Sequence, residues 1–141
     1  MIFAAALILL ATGCGNNSTQ GEGTGKSRLM EADTGTPVIS FNTLDHNFGV
    51  ITEGEKLAYV FSYTNTGTGN LIITSASTSC GCTVPAFSKK PLAPGQKGTM
   101  EVIFDSSGFN GFQTKTITVQ SNASVPVIVL AVRAEVKSKT K

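Results

Sequence analysis

Apolar and polar residues alternate with a period of two along most of the chain after residue 37, as they do in half-buried β-strands. The alternation is clearest in four stretches, at 56–64, 99–105, 113–121 and 125–136. Weaker patterns predict further strands at 38–41, 48–51 and 71–77. No stretch keeps the 3.6-residue period of an amphipathic helix, so the sequence predicts an all-β domain.

Turn-forming residues separate the predicted strands, and the clearest turn signal is the pair Pro94 and Gly95. Pro sets the first φ angle of a type II turn and Gly accepts the positive second one, so we expect that turn here. Six to eight short strands without helices favour an antiparallel β-sandwich. The absence of Trp, and of a cysteine pair far apart within the strands, disfavours an antibody-type domain. The predicted core consists of inward-facing residues, namely Tyr59, Phe61, Tyr63, Ile73, Val102, Phe104, Ile117, Val119, Leu130 and Val132.

Residues 2–11, with the sequence IFAAALILLA, form an apolar run that precedes Cys14. The run is shorter than the ~20 residues that span a bilayer, but it suits the central part of a secretory signal. It resembles a bacterial lipoprotein signal, in which cleavage leaves a cysteine at the N-terminus with a diacylglycerol on its sulfur. Ala11 departs from that pattern, which commonly has Leu there, and residues 1–3 carry no Lys or Arg. The alternatives are a plain cleaved signal with an incidental cysteine and a buried N-terminal helix.

The segment after Cys14 is rich in glycine and has almost no large apolar residue before Leu29. Such a composition cannot bury enough surface to offset chain entropy, so we expect a flexible tether. The predicted organisation is a signal peptide at 1–13, the lipidated cysteine and tether at 14–36, a sandwich at 37–137 and a basic tail at 138–141. We expect a bacterial cell-envelope location, at the outer membrane, with the lipid anchor as the contact to the membrane.

Charged residues make up 14% of the chain and give a net charge of +2. Nucleic-acid binding needs Lys and Arg concentrated on one face, whereas here they are scattered, apart from Lys137, Lys139 and Lys141. The composition therefore argues against a nucleic-acid partner. The sequence also lacks a Gly-rich phosphate loop, a nucleophile elbow and a paired acidic motif, so we expect no catalytic residues and no cofactor.

Several short motifs occur in an order that resembles one bacterial family. They are FSYTNTG at 61–67, LII at 71–73, SCGCT at 79–83, PG at 94–95, VIF at 102–104 and the stretch from GF at 111–112 to SN at 121–122. Over residues 38–136 the chain is similar to domain of unknown function 1573, whose members are envelope proteins and often lipoproteins. The resemblance implies an immunoglobulin-like sandwich of about seven strands, related to the Hydin and major-sperm-protein type. Phe87 takes the place of an aromatic residue that commonly follows the Cys-Gly-Cys-Thr motif, and the resemblance implies no activity.

Cys80 and Cys82 are the candidates for metal or thiol chemistry. A structural zinc site needs four ligands, and only His46 and Asp45 could complete one with this pair. Two thiolates alone could hold Cu(I), although no Met-rich segment accompanies them. Thiol catalysis needs a base near a low-pKa cysteine, but we expect His46 to lie in a loop. The residues from Pro85 onward are also expected to form a loop, so no helix N-terminus follows Cys82 to stabilise a thiolate.

We predict that Cys80 and Cys82 form a local disulfide, because an exported protein meets an oxidising compartment. In a flat strand the two residues would stand about 6.6 Å apart at Cα, whereas a relaxed bridge prefers roughly 5.5 to 6 Å. Gly81 can relieve this mismatch with a positive or bulged φ, so the bridge should mark a kink where the strand from residue 71 leaves its sheet. Such a bridge would mainly hold the loop.

Two functions stay open on the sequence alone. In the first, the protein is a lipid-anchored, non-catalytic β-sandwich that binds or scaffolds an envelope protein or glycan. In the second, it handles thiols or copper through Cys80 and Cys82. The anchor, the tether and the fold favour the first function, while the second depends on the Cys-Gly-Cys motif.

Overall fold

A computed structural model describes residues 34–139 of the protein. The predictions for the signal peptide, for Cys14, for most of the tether and for the last two residues of the basic tail lie outside this range. The described residues form eight strands, β1 (Ile39–Phe41), β2 (Asp45–Thr52), β3 (Lys56–Asn65), β4 (Ile73–Thr78), β5 (Thr83–Phe87), β6 (Lys97–Asp105), β7 (Gly111–Ser121) and β8 (Val127–Lys137). Within 34–139 there is no helix that could cross a membrane.

The eight strands form two four-stranded sheets, which confirms the predicted all-β sandwich. Sheet one has the order β1-β3-β6-β5, and sheet two has the order β2-β8-β7-β4. Neighbouring strands are antiparallel except β2 and β8, which are parallel. Apart from β2, the order is that of an immunoglobulin constant-type domain, with strands ABED in one sheet and CFG in the other. The eighth strand arises because the first strand region is divided between the sheets as β1 and β2.

The core lies between the inner faces of the two sheets. Phe61 of β3 is fully buried while the adjacent Val60 is 48% exposed, as the predicted alternation requires. The predicted core residues are all buried except Tyr59, which is half-buried and packs against the core. The core also includes Ile39, Ile51, Leu71, Met100, Ala123, Ala134 and Val136.

Strand β5 shows that the loop predicted from Pro85 onward was wrong for residues 85–87, although no strand includes residues 88–96. Residues Thr83–Phe87 pair with β6, and Pro85 lies opposite Val102. Proline has no N–H to donate, so it is tolerated in a strand that has a neighbour on one side only. Because β5 is the edge strand of sheet one, Pro85 interrupts no ladder on its outer side.

Strand β2 shows that the prediction of a loop around His46 was also wrong. The strand begins at Asp45, so His46 is part of it. The pairing with β8 shifts register between Asn47 and Val50, where Gly49 has a φ of 76°. The side-chain oxygen of Asn47 accepts a hydrogen bond of 2.9 Å from the Gly49 N–H and supports this bulge. Phe48 and Ile51 both pack on the core although they are three positions apart, so the bulge breaks the alternation and the pattern at 48–51 is weak.

The turn before β6 has the predicted type. Gly95 has a φ of 77°, and the N–H of Gln96 donates to the carbonyl of Ala93 at 3.1 Å. A positive φ at the third residue, with a bond from the fourth residue to the first, defines a type II turn. This result confirms the prediction made from Pro94 and Gly95.

Candidate functional site

The Cys80–Cys82 disulfide lies where the chain crosses from one sheet to the other. Strand β4 of sheet two ends at Thr78, and β5 of sheet one begins at Thr83. The two cysteine Cα atoms are 5.3 Å apart, which is closer than the about 6.6 Å of a flat strand. The chain therefore bends where the sequence predicted a kink.

Gly81 does not adopt the positive φ that the sequence prediction considered for it. The chain bends instead through residues 79–82 as a whole. A Cβ atom added to Gly81 would meet no atom within 4 Å. The bend therefore does not require glycine at position 81, because its φ is not positive and there is room for a Cβ atom.

Backbone hydrogen bonds tie both ends of segment 79–82 to neighbouring strands. The Ser79 N–H donates to the carbonyl of Thr116 in β7 at 3.1 Å, and the Thr116 N–H donates to the Ser79 hydroxyl oxygen at 3.3 Å. At the other end, the N–H of Asp105 in β6 donates to the carbonyl of Cys82 at 2.9 Å. The segment is therefore attached to both sheets by bonds that do not involve the disulfide.

Two threonine hydroxyls lie inside the bend. The Thr78 hydroxyl is 2.6 Å from the carbonyl oxygen of Cys80 and 3.1 Å from that of Thr83, and it can donate to either. Thr83 is 3% exposed, and its hydroxyl oxygen lies 3.9 Å from Sγ of Cys80 and 3.8 Å from Sγ of Cys82. The sequence prediction included Thr83 in a motif but gave it no role. Its position directly after the second cysteine was the available signal.

His46 lies apart from the disulfide. Its ring stacks on that of Tyr59, with centroids 3.6 Å apart and 10° between the planes, and Phe48 meets it edge-on at 4.8 Å. Strand β2 is at one edge of sheet two and β4 is at the other, with β8 and β7 between them. Three spacings of ~4.8 Å place the two edge strands about 14 Å apart. The structure therefore does not bring His46 together with the cysteines.

The residues considered for a metal site are engaged elsewhere. Asp45 forms an ion pair of 3.2 Å with Arg133. Across residues 34–139, no group of three or more His, Cys, Asp or Glu side chains is placed to hold a metal ion. Cys80 and Cys82 are bonded to each other, so zinc or Cu(I) would require their reduction and deprotonation first.

The opposite end of the sandwich is organised by Asn65, the last residue of β3, which is fully buried. Its side-chain nitrogen donates to the carbonyls of Gly69 and Leu92, each at 2.8 Å. Its side-chain oxygen accepts from the N–H groups of Gly67 at 3.0 Å and Val38 at 3.4 Å. One side chain thus joins two loops to the segment that leads into β1. The sequence prediction included Asn65 in a motif without this role.

The described chain enters the sandwich at this Asn65 end, which we call the entry end. The Thr36 N–H donates to the Thr68 hydroxyl at 3.1 Å, and the Thr68 N–H donates to the Thr36 carbonyl at 2.9 Å. Strand β3 has 10 residues and runs from the end that carries the disulfide, which we call the disulfide end, to Asn65. At ~3.3 Å per residue, the two ends are about 30 Å apart.

Asp105, at the disulfide end, has a lowered pKa. Hydrogen bonds from the hydroxyl and the N–H of Ser107, together with the Lys56 ammonium 3.1 Å away, lower the pKa from 3.8 to about 2. The Lys56 side chain is 68% exposed, so solvent weakens the ion pair. Because these contacts favour the charged carboxylate, Asp105 contributes stability above its unfolded pKa of 3.8, and this is lost as the pH falls through about 2.

We expect Asp105→Asn to reduce the acid sensitivity of the fold. Between pH 4 and pH 2, the urea midpoint of the wild type should fall further than that of the variant, because the variant has no carboxylate to protonate. Urea unfolding at a series of pH values measures this difference. Glu101→Gln, on the same strand, is the matched control. If the urea midpoints of the wild type and of Asp105→Asn fell equally between pH 4 and pH 2, the lowered pKa of Asp105 would be contradicted.

The outer face of sheet two carries exposed apolar side chains near the disulfide end. Phe112 of β7 is 86% exposed and Val50 of β2 is 65% exposed. Both lie opposite Glu135 of β8, one on each side. They border a shallow groove of ≈ 340 Å³ that is also lined by Arg133 and Glu135. Exposed apolar side chains grouped with polar neighbours are typical of a contact surface.

A match over most of the sandwich relates the chain to a known group of proteins. The family described as Protein of unknown function (DUF1573) matches residues 39–136, from the start of β1 to the penultimate residue of β8. The chain belongs to this family. The match confirms the resemblance that the ordered motifs indicated. No curated protein was found to match this DUF1573 chain.

Solved structures share the fold of the DUF1573 domain. A protein of unknown function from Porphyromonas gingivalis W83 has a TM-score of 0.64 at 19% identity, over 78% of this chain and 51% of that one. The present chain thus spans about half the length of that protein. The ASH/PapD-like domain 7 of human CEP192 has a TM-score of 0.60 at 9% identity, over 72% of this chain and 87% of the domain. The VesB protease of Vibrio cholerae has a TM-score of 0.55 at 19% identity, over 70% and 31%. At such identities the likeness shows the immunoglobulin-like fold alone.

Proposed function

We propose that this protein is a lipid-anchored module of the bacterial cell envelope that binds or scaffolds another envelope component and performs no catalysis. The observation that carries the proposal is the order along the chain, in which an apolar run at 2–11 and Cys14 precede a Gly-rich segment and a β-sandwich. Cleavage before Cys14 and acylation of its sulfur would fix the chain in a membrane, and we propose the outer membrane. A Gly-rich segment of this length would give a reach of about 25 Å.

In this arrangement the tether joins the sandwich at its entry end, so this end is the nearer of the two to the anchor along the chain. The disulfide end lies about 30 Å from the entry end along β3. Phe112 and Val50 also lie toward the disulfide end, because Phe112 follows the β6–β7 loop and Val50 precedes the β2–β3 turn. Phe112, which is 86% exposed, therefore lies toward the end remote from the tether and would be accessible to a partner.

The proposed partner is an envelope protein or glycan that contacts the outer face of sheet two. Phe112 can pack against an apolar side chain or stack on a sugar ring. Arg133 and Glu135 in the same groove provide a charged donor and a charged acceptor for polar contacts. A nucleic-acid partner is not proposed, because Lys and Arg are scattered along the sequence of the sandwich and form no cluster there.

We expect Cys14→Ser to move the protein from the detergent phase to the aqueous phase in a Triton X-114 partition. A serine hydroxyl cannot take the thioether-linked diacylglycerol, so the variant loses its anchor while its sandwich is unchanged. Cys82→Ser is the matched control, since it makes the same substitution outside the proposed anchor. A wild-type protein that already partitions into the aqueous phase would contradict the lipoprotein proposal.

A further inference from the structure

We infer that the Cys80–Cys82 disulfide is a thiol–disulfide exchange site in which the Thr83 hydroxyl stabilises the sulfur that leaves as a thiolate. The class of substrate is a protein dithiol, which the disulfide oxidises. The inference uses the geometry of the bend at 79–82 and of its neighbours, and it does not depend on the lipid anchor.

The bend has little need of the disulfide as a clamp. Segment 79–82 is already tied to β7 through Ser79 and to β6 through the carbonyl of Cys82. The Thr78 hydroxyl adds a hydrogen bond across the bend, to the carbonyl of Cys80 or of Thr83. A disulfide between residues separated by two positions closes a very small loop, so it restricts the unfolded chain little. A bond that adds little to the fold is available for chemistry.

Thr83 supplies the specific feature of an exchange site. Among residues 34–139, the hydrogen-bond partners of its buried hydroxyl are the two disulfide sulfurs. A disulfide sulfur is a weak acceptor, whereas a thiolate carries a full charge and accepts strongly. Reduction therefore gives the Thr83 hydroxyl a better acceptor, and a hydrogen bond to the charged form favours that form. A stabilised reduced form makes a disulfide more oxidising.

The two sulfurs are not equivalent. Both cysteines are half-buried, but Cys82 packs against the hydrophobic core whereas Cys80 is not part of that cluster. An incoming thiolate is therefore expected to attack Sγ of Cys80, where access is easier. Cys82 then leaves as the thiolate that Thr83 stabilises.

The exchange proceeds in two balanced steps. A thiolate of the partner attacks Sγ of Cys80, a bond forms between the two proteins, and the bond to Cys82 breaks with its electron pair on Sγ of Cys82. The second thiol of the partner, once deprotonated, attacks the partner's own sulfur in the mixed disulfide and releases Cys80 as a thiolate. The partner dithiol loses two electrons and becomes a disulfide, and the Cys80–Cys82 pair gains them.

The role of Thr83 is tested on the full chain with Cys14→Ser and Cys80→Ser, which leaves Cys82 as the single thiol. The ultraviolet absorbance of its thiolate, followed against pH, gives the midpoint of ionisation. We expect Thr83→Val to raise this midpoint by about one pH unit, a tenfold change in proton affinity, because the donor is lost. Thr83→Ser keeps the hydroxyl and should retain the lower midpoint. Thr118→Val, on the outer face of β7, is the matched control and should leave the ionisation midpoint of Cys82 unchanged.

The role of Thr83 would be overturned if the Cys82 thiol ionised at the same midpoint in Thr83→Val, in Thr83→Ser and with Thr83 unchanged. If Thr83→Val does not fold, Thr83→Ala removes the same hydroxyl with a smaller side chain, and the same shift is expected.

The exchange itself is tested by equilibrating the Cys14→Ser chain with glutathione and alkylating the free thiols. We expect the pair to become reduced without a change in the urea midpoint, and the trapped glutathione adduct to map to Cys80. A fall in the urea midpoint on reduction, or reduction only after unfolding, would show a structural clamp instead.

Discussion

Phe61→Ala is expected to lower the free energy of unfolding by about 3 to 5 kcal/mol. Phe61 has no exposed surface at the centre of β3, and the ring of Tyr59 meets it edge-on with centroids 4.8 Å apart. Removal of the ring leaves a cavity between the sheets that the surrounding strands fill only in part. A domain of this size has a total stability of about 5 to 15 kcal/mol, so this loss is a large share of it.

Urea unfolding followed by far-UV circular dichroism measures the loss, with Cys14→Ser as the common background. Phe112→Ala is the matched control, because it makes the same side-chain change at a position that is 86% exposed. We expect that control to change the free energy of unfolding by less than about 0.5 kcal/mol. Similar stabilities for the two variants would mean that Phe61 does not lie in the core.

Asn65→Ala is expected to cost about 3 to 5 kcal/mol, because its four hydrogen-bond partners lose a bond at once. The bond to the Gly69 carbonyl is buried, so no solvent replaces it, whereas the Leu92 carbonyl is part-buried and keeps its bond from the Leu71 N–H. The alanine methyl group can neither donate to them nor accept from the N–H groups of Gly67 and Val38. The entry end should therefore loosen before the rest of the sandwich.

Hydrogen exchange of the backbone amides, combined with urea unfolding, measures both effects. The amides of Gly67 and Val38 should lose protection in Asn65→Ala, while those in the centre of β7 keep it until global unfolding. Asn42→Ala, at an exposed position between β1 and β2, is the control and should stay within about 0.5 kcal/mol of the wild type. Unchanged protection at Gly67 and Val38 would contradict the role given to Asn65.

The strands that could be predicted are those in which every second residue meets the core. Strands β3, β6, β7 and β8 keep an unbroken alternation, so the pattern revealed them at nearly their full length. Strand β2 contains a bulge at Gly49, which places residues on both sides of it out of phase. Strand β5 contains Pro85, and its edge position, which makes proline acceptable, depends on the sheet order rather than on local sequence.

The residues of the candidate site also differ in how far the sequence could predict them. Cys80 and Cys82 could be identified because the two partners of the disulfide are neighbours in the sequence. The role of Asn65 could not, because it bonds to Leu92 and Val38, each 27 positions away. Thr83 could be noticed because it directly follows Cys82, but its burial beside the two sulfurs depends on the fold and not on the local motif.

The proposed anchor is tested most directly by mass spectrometry of the mature protein purified from bacterial envelopes. Our proposal predicts that its first residue is Cys14, with a mass increment for a diacylglycerol on the sulfur. Hydrolysis of the ester-linked fatty acids with mild base should remove most of that increment. A mature protein that begins at another residue, or that begins at Cys14 without added mass, would contradict the proposal that this sandwich is lipid-anchored.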